Sequence, residues 1–268
     1  MRFMKTLIII NGATGTLGTA CFARFSREHD TNMIGLSRQA LSAETFCKNG
    51  YLLDNILVCS MGDITSKEDC ENFVKKINKS FYDKVIYIHA LGFYPCELDK
   101  AGNIYVANDD DRDGIDDRVV KLSYEAFFAM TGALQKLGLP MRALIFGSIA
   151  DKLKSIVHKS WWTVMGRIKE RMKKEVEQND KASFLVLNIS SVIDASELLI
   201  RPFVFQNTNA DASFWLTPHE VAEQVVSLVF SKMNGFVEDE LFHKADYYQE
   251  GYFEEEKYIK RRKGELGI

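Results

Sequence analysis

The sequence predicts an α/β fold, a doubly wound parallel sheet with helices on both faces. Three observations predict it. Short apolar runs alternate with helix-period patterns through the first two-thirds of the chain, the order that builds a parallel sheet. The first run, Leu7 to Ile10, passes through a glycine turn into a helix pattern. No internal repeat and no linker-like stretch divides the 268 residues. They read as one domain, 1–268, in which 246–268 forms a charged C-terminal tail.

Composition narrows the function classes. Hydrophobic residues make up 46% and charged residues 26%, as in an ordinary globular protein. A net charge of −3 offers no general attraction to nucleic acid or to a membrane surface. No apolar run approaches the ~20 residues that span a bilayer. Arg2 and Lys5 precede the first apolar run, but that run leads straight into the glycine turn and reads as a strand rather than a signal peptide. The cysteines, Cys21, Cys47, Cys59, Cys70 and Cys96, are odd in number and form no CxxC. A reducing, cytoplasmic location is expected.

The first element carries most of the information. In TLIIINGATGTLG, Gly12, Gly15 and Gly18 recur at three-residue spacing. Gly12 permits a tight turn, Gly15 lets the backbone approach a pyrophosphate, and Gly18 lets the helix pack on the strand. The free N–H groups of the helix start attract negative charge. Leu17, Cys21 and Phe25, with Phe22 beside them, give that helix its apolar face. Strand, glycine turn and helix together predict a Rossmann-type dinucleotide cradle.

The remaining elements follow in order. Met33 to Leu36 is a second strand, Ser42 caps a short helix that stops at Gly50, and Ile56 to Ser60 is a third strand. Thr65 and Glu68 fit a capping box for a helix whose apolar face holds Cys70, Phe73, Val74 and Ile77. Lys84 to His89 is the fourth strand. A long helix is expected from Asp117 to Leu137, with Leu122, Ala126, Met130, Ala133 and Leu137 inward and Gly138 as its stop. Ala143 to Phe146, a helix over 161–178, and Phe184 to Ile189 come next. Thr217, Pro218 and Glu220 make a second capping box, before a helix that buries Val221, Val225, Leu228 and Val229. A last short strand is expected near Leu241.

Candidate binding residues lie at the carboxyl ends of these strands. Ser37 and Arg38 stand where a dinucleotide fold reads the adenosine ribose, and no carboxylate is present there. A guanidinium suits a 2′-phosphate, which favours NADP, with NAD as the alternative. Asp63, after the third strand, is placed to accept a hydrogen bond from an adenine amine, or serves as a plain turn aspartate. Asp109, Asp111, Asp113, Gly114 and Asp117 fit DxDxDGxxD, a spacing found in calcium loops. Val120 stands where an EF-hand has its bidentate glutamate. The expectation is therefore no metal, an acidic loop leading into a helix, with a divalent cation on Asp109, Asp111, Asp113 and Asp117 as the weaker alternative.

The order NGATGTLG, LSR, GDIT, IHALG and FGS, with WLTPHEVAEQVVSLVF late in the chain, resembles the short-chain dehydrogenase/reductase family from Lys5 to Phe242. The resemblance implies cofactor contacts from Gly12, Ala13, Thr14, Gly15, Thr16, Leu17, Gly18, Ser37, Arg38, Asp63, Ile64, Ala90, Leu91 and Gly92. It implies a catalytic role for Ser148, which matches the family's serine after the fifth strand. The family's Tyr and Lys, spaced YxxxK, have no counterpart, because no lysine here stands four residues after a tyrosine. Trp161 or Trp162 occupies the tyrosine's place, and Met165 or Gly166 the lysine's. An indole N–H donates a hydrogen bond but does not shuttle protons. Further departures are Ser123 near the family's asparagine, NISSV where a Pro-Gly turn is usual, and His89 in place of part of NNAG. Tyr94, Cys96, Glu97, His158 and Lys159 remain as stand-in acids or bases.

Two functions of different class follow. One is an NADP-dependent oxidoreductase reducing a carbonyl on a small organic substrate at a non-standard site. The other is a dinucleotide-binding protein without catalysis, a regulator or inactive partner subunit. A sugar-nucleotide epimerase or dehydratase is the third reading, disfavoured by the short C-terminal portion. The two long helices, which the family often uses for assembly, imply a homo-oligomer.

Overall fold

In the computed structural model the described residues are 5–37, 56–60, 62–91, 96–98, 104–106, 109–110, 113–148, 159–190, 192 and 216–242, with 56–60, 96–98 and 104–106 described as backbone. β1 (Thr6–Asn11) is buried at every position. A strand covered on both faces cannot alternate polar and apolar residues, which is why Leu7 to Ile10 reads as one apolar run. α1 (Thr16–Phe25) follows the glycine turn and buries Gly18, Cys21, Phe22 and Phe25. β2 (Thr31–Ser37), β3 (Ile56–Ser60) and α2 (Lys67–Lys75) come next. β4 (Lys84–His89) has the range expected from its sequence.

After β4 a short antiparallel hairpin pairs β5 (Cys96–Leu98) with β6 (Ile104–Val106). The helical stretch beyond it is broken. α3 (Asp117–Val119) passes into a π-helical segment (Val120–Glu125) and then into α4 (Ala126–Gln135). The single helix expected over 117–137 is thus three pieces. Gly138 ends it with φ +71°, as the stop signal requires. β7 (Met141–Ser148), α5 (Lys159–Gln178), β8 (Ala182–Ile189), α6 (Pro218–Phe230) and β9 (Phe236–Leu241) follow.

Among the described residues the main sheet has seven strands in the order β3-β2-β1-β4-β7-β8-β9. Every pairing in it is parallel. This is the doubly wound architecture expected from the sequence. One core layer, under α2, α4 and α5, holds Leu7, Ile9, Tyr87, Phe127, Ile145, Met165 and Phe184. The other, under α1 and α6, holds Ile8, Ile10, Phe22, Phe25, Leu144, Val225 and Val229. Each wholly buried aliphatic or aromatic side chain contributes about 1.5–3 kcal/mol over the exposed state.

Two caps differ in their outcome. The box at Thr217 and Glu220 is complete: Thr217 accepts from the Glu220 N–H, and Glu220 accepts from the Thr217 N–H at 2.7 Å. The box expected at Thr65 and Glu68 is corrected. The N-cap of α2 is Ser66, which accepts from Asp69 N–H. Thr65 instead donates its hydroxyl, at 2.7 Å, and its N–H, at 2.9 Å, to Asp63.

The strand order reverses between β1 and β4. A doubly wound sheet opens its ligand crevice at that switch point, beyond the carboxyl ends of the strands. Asn11 and His89 end the two strands there and face each other in register.

Candidate functional site

A pocket of about 610 Å³ lies at this switch point. Its walls come from the end of β1 and the glycine turn (Asn11, Gly12, Thr14, Gly15), the end of β2 (Leu36, Ser37) and the turn after β3 (Gly62, Asp63, Ile64, Thr65). Ala90, Leu91 and Leu122 of the π-helical segment close it.

The glycines perform separate tasks. Gly12 has φ +77°, and a Cβ on it would stand 2.8 Å from the Ala90 carbonyl oxygen. Its N–H and that of Ala13 both donate to Leu36 O, which ties the turn to β2. A Cβ on Gly18 would overlap the Gly12 carbonyl, 2.7 Å from its carbon. Gly15 is different, since a Cβ there would meet only Gly12 O, at 3.4 Å. Its missing side chain leaves room on the pocket side. Gly15 is also the N-cap of α1, with no side-chain cap and no acidic residue in the first turn. The first N–H groups of α1 therefore lack a side-chain cap, beside the pocket that Gly15 lines, the arrangement of an anion-binding helix end. Gly35 on β2 escaped the sequence reading; Phe22 and Ala13 pack where its side chain would be.

The predicted cofactor residues fall into three groups. Gly12, Thr14, Gly15, Ser37, Asp63, Ile64, Ala90 and Leu91 line the pocket together. Ala13 is wholly buried in the core, while Thr16, Leu17 and Gly18 form the first turn of α1. Arg38 and Gly92 lie outside the described residues. Asn11, Leu36, Gly62, Thr65 and Leu122 are pocket residues the sequence reading did not name for it. The one available signal was Asn11, a polar residue closing a buried apolar strand.

Asp63 accepts from Thr65 through hydroxyl and then N–H, which lowers its carboxyl below the usual value. Lys121, the neighbour of Leu122, adds to this with its charge. The π-helical segment thus borders the same pocket as Asp63, near enough for the Lys121 charge to act on it.

Behind the pocket lies a buried polar chain. His89 is 0% exposed. Its Nε2 is 2.7 Å from Leu122 O and its Nδ1 is 2.8 Å from the Tyr87 hydroxyl. A carbonyl only accepts, so Nε2 carries the proton, and Nδ1 accepts from Tyr87. The Asn11 amide reaches the Tyr87 hydroxyl and His89 Nδ1, both at 3.3 Å. Burial pushes the imidazole pKa down to about 4, and raises that of the Tyr87 phenol.

The other half of the crevice is built differently. Ser148 is the last residue of β7 and half-buried. Strand alternation puts it on the Leu144 and Phe146 face, the one covered by α1 and α6. On α5, Trp161 packs against the opposite core layer and Met165 is wholly buried in it, whereas Gly166 is exposed. The indole N–H of Trp162 is buried with no hydrogen-bond partner among the described residues, as are the hydroxyls of Ser123, Thr163 and Ser190. Lys159 donates to the Asp113 carbonyl. Tyr94 and His158 lie outside the described residues, and Cys96 and Glu97 are described only as backbone.

Three carboxylates of the aspartate-rich loop, those of Asp109, Asp113 and Asp117, accept from its own backbone. Asp109 accepts from the N–H groups of Asp113 and Gly114, at 3.0 and 2.8 Å. Asp113 accepts from Ile115 N–H, and Asp117 from Asp110 N–H. Asp111 lies outside the described residues. Among the described residues no cluster of three or more His, Cys, Asp or Glu is placed to hold a metal ion. No described helix is long and apolar enough to cross a membrane.

No family model and no curated protein matches the chain in sequence. Solved structures match it in fold. A short-chain dehydrogenase/reductase described as a glucose/ribitol dehydrogenase, from Brucella melitensis, is 16% identical with TM-score 0.66, over 89% of this chain and 96% of that one. The closed form of a serine dehydrogenase complexed with NADP+ is 14% identical with TM-score 0.67, over 88% and 94%. A short-chain type dehydrogenase/reductase from Mycobacterium ulcerans is 12% identical with TM-score 0.63, over the whole of both chains. The chain has the fold of the short-chain dehydrogenases/reductases.

Proposed function

We propose that this chain binds a nicotinamide dinucleotide, NADP in preference to NAD, across the β1–β4 switch point. The observation that carries the reading is the open start of α1: an uncapped helix N-terminus behind Gly15, at the wall of a pocket shaped by the glycine turn. Gly12, Thr14 and Gly15, with the first turn of α1, would hold the pyrophosphate. Ser37 and Arg38 would receive the ribose 2′-phosphate, and Asp63, Ile64, Ala90 and Leu91 the adenosine. The NADP+ complex among the fold neighbours supports the cofactor class.

When bound, the group supplies hydride transfer. The chain's own contribution on that side is Ser148, which would orient the oxygen of a small carbonyl substrate. Water or a residue outside the described set would hold the proton. The absence of YxxxK favours a second reading, a dinucleotide-binding protein without hydride chemistry, acting as a regulator or as the inactive partner in a complex. A homo-oligomer built through the α4 and α5 region accompanies either reading, and sedimentation at micromolar concentration tests it.

The deciding experiment is a fluorescence titration with NADPH and NADH, repeated on Arg38→Ala. Micromolar NADPH affinity that Arg38→Ala weakens selectively is the expected result. If neither nucleotide binds, the reading is withdrawn. A screen of carbonyl substrates with bound NADPH then separates reductase from binding protein.

A further inference from the structure

His89 belongs to β4, yet its outer nitrogen bonds to a carbonyl of the π-helical segment 33 residues later. That carbonyl is Leu122 O, and the same residue lines the nucleotide pocket. On its other side His89 is tied through Tyr87 and Asn11 to the end of β1, where Asn11 is itself a pocket residue. The Phe127 ring packs edge-on to the imidazole, with centroids 5.7 Å apart, and holds its plane. The imidazole thus lies behind the pocket and ties two of its lining residues together, Asn11 before the glycine turn and Leu122 of the π-helical segment.

A buried imidazole that merely filled the core would be a poor choice, because desolvating its polar atoms is unfavourable unless both are bonded. Here both are bonded, and to elements that bracket one cavity. The π-helical stretch makes the arrangement specific. Its backbone departs from the α-helical pattern in the segment whose Leu122 borders the pocket, and π-turns frequently mark functional sites.

We propose that His89 is a positioning residue for the adenosine end of the pocket: its Nε2–H, bonded to Leu122 O, sets where the π-helical wall stands against the glycine turn. The inference rests on the nucleotide-binding reading above.

The test uses two amides of different reach. His89→Gln places an amide nitrogen near the position of Nε2 and keeps the bond to Leu122 O. His89→Asn reaches only as far as Nδ1 and keeps the Tyr87 side alone. Leu122→Ala removes the wall's side chain without touching the imidazole. NADPH affinity and the competing affinity of ADP, which carries only the adenosine end, are measured on each full-length variant. The measurements are made at a temperature where circular dichroism shows all variants folded. The expected result is a tenfold or greater loss for both ligands in His89→Asn and Leu122→Ala, with His89→Gln within threefold of the unaltered protein. Equal affinities in His89→Asn and the unaltered protein overturn the proposal while leaving nucleotide binding intact. So do equal losses in His89→Asn and His89→Gln, the mark of a merely structural role. Failure of the unaltered protein to bind NADPH and NADH overturns both readings together.

Discussion

Helices α1 and α6 pack side by side, joined by Arg24 and Glu223 at 2.7 Å, yet they begin in opposite ways. α6 is closed by its own side chains. Thr217 and Glu220 satisfy each other's backbone N–H groups, and Pro218 occupies the first turn. α1 begins at a glycine that supplies no side chain to its orphan donors. Both starts flank the same core layer, so burial does not explain the difference. What differs is surroundings: α1 starts beside the switch-point pocket and α6 does not line it. A helix start that completes its own hydrogen bonding serves the fold. One left open beside a pocket is available to an anion.

The largest expected effect comes from closing the space that lets α1 sit on its turn. Gly18→Ala puts a Cβ 2.7 and 2.8 Å from backbone carbons of Gly12 and Ala13. Denaturant unfolding should show a loss of about 3 kcal/mol, the scale of an overpacked core position. A loss under about 1 kcal/mol would mean that the helix and turn separate easily.

Gly15→Asp makes α1 resemble α6. The N-cap backbone, with φ −79° and ψ 170°, accepts an L-residue, and its Cβ would make ordinary contact only with Gly12 O, at 3.4 Å. Stability should hold or rise by a few tenths of a kcal/mol, roughly the advantage of aspartate over glycine at an N-cap. NADPH affinity should fall about 100-fold, or about 3 kcal/mol, because the new carboxylate takes the donors and repels phosphate. Unchanged affinity would break the comparison.

The buried imidazole behind the open helix start adds a pH signature. His89 shifts from 6.5 to about 4 through burial. The unfolded chain therefore takes up a proton before the native one does. His89 contributes stability that is present near neutral pH and lost as pH falls through that window, on the order of 3 kcal/mol at most. Urea unfolding of the native protein and of His89→Gln, at about pH 7 and about pH 4, should show this component missing from the variant. Parallel pH profiles would show that His89 is not held neutral.

The smallest effect is the control. Thr217→Ala opens the box on α6 and should cost about 1 kcal/mol with NADPH affinity unchanged. A drop in affinity would make the two helix starts functionally alike.

Much of this was legible in the chain. The strands of a sheet covered on both faces are continuous apolar runs, so β1 and β4 were readable to within a residue. The glycine turn was readable because each glycine answers a backbone need that other residues cannot meet. The cap of α2 was less so. Thr65 with Glu68 and Ser66 with Asp69 fit the same spacing, and the capture of Thr65 by Asp63 selects Ser66. The three-residue strands β5 and β6 are too short to show a period. The aspartate pattern gave a candidate cation loop, but which way the carboxylates turn depends on backbone geometry that spacing does not encode.

Local patterning alone determined the parallel sheet, the glycine cradle at its first crossover and the lack of a YxxxK pair. Those features are properties of neighbouring residues: the period of burial, the φ a turn requires, the four-residue step of a helix. Tertiary structure decided the rest. It placed Leu122 in the pocket instead of the core and bent its helix into a π-turn. It bonded His89 to that turn, and set Met165 inward with Gly166 outward. Asn11 meets His89 across 78 residues of chain and His89 meets Leu122 across 33. A buried polar atom must find a partner wherever the fold brings one, and at those separations only the fold selects it.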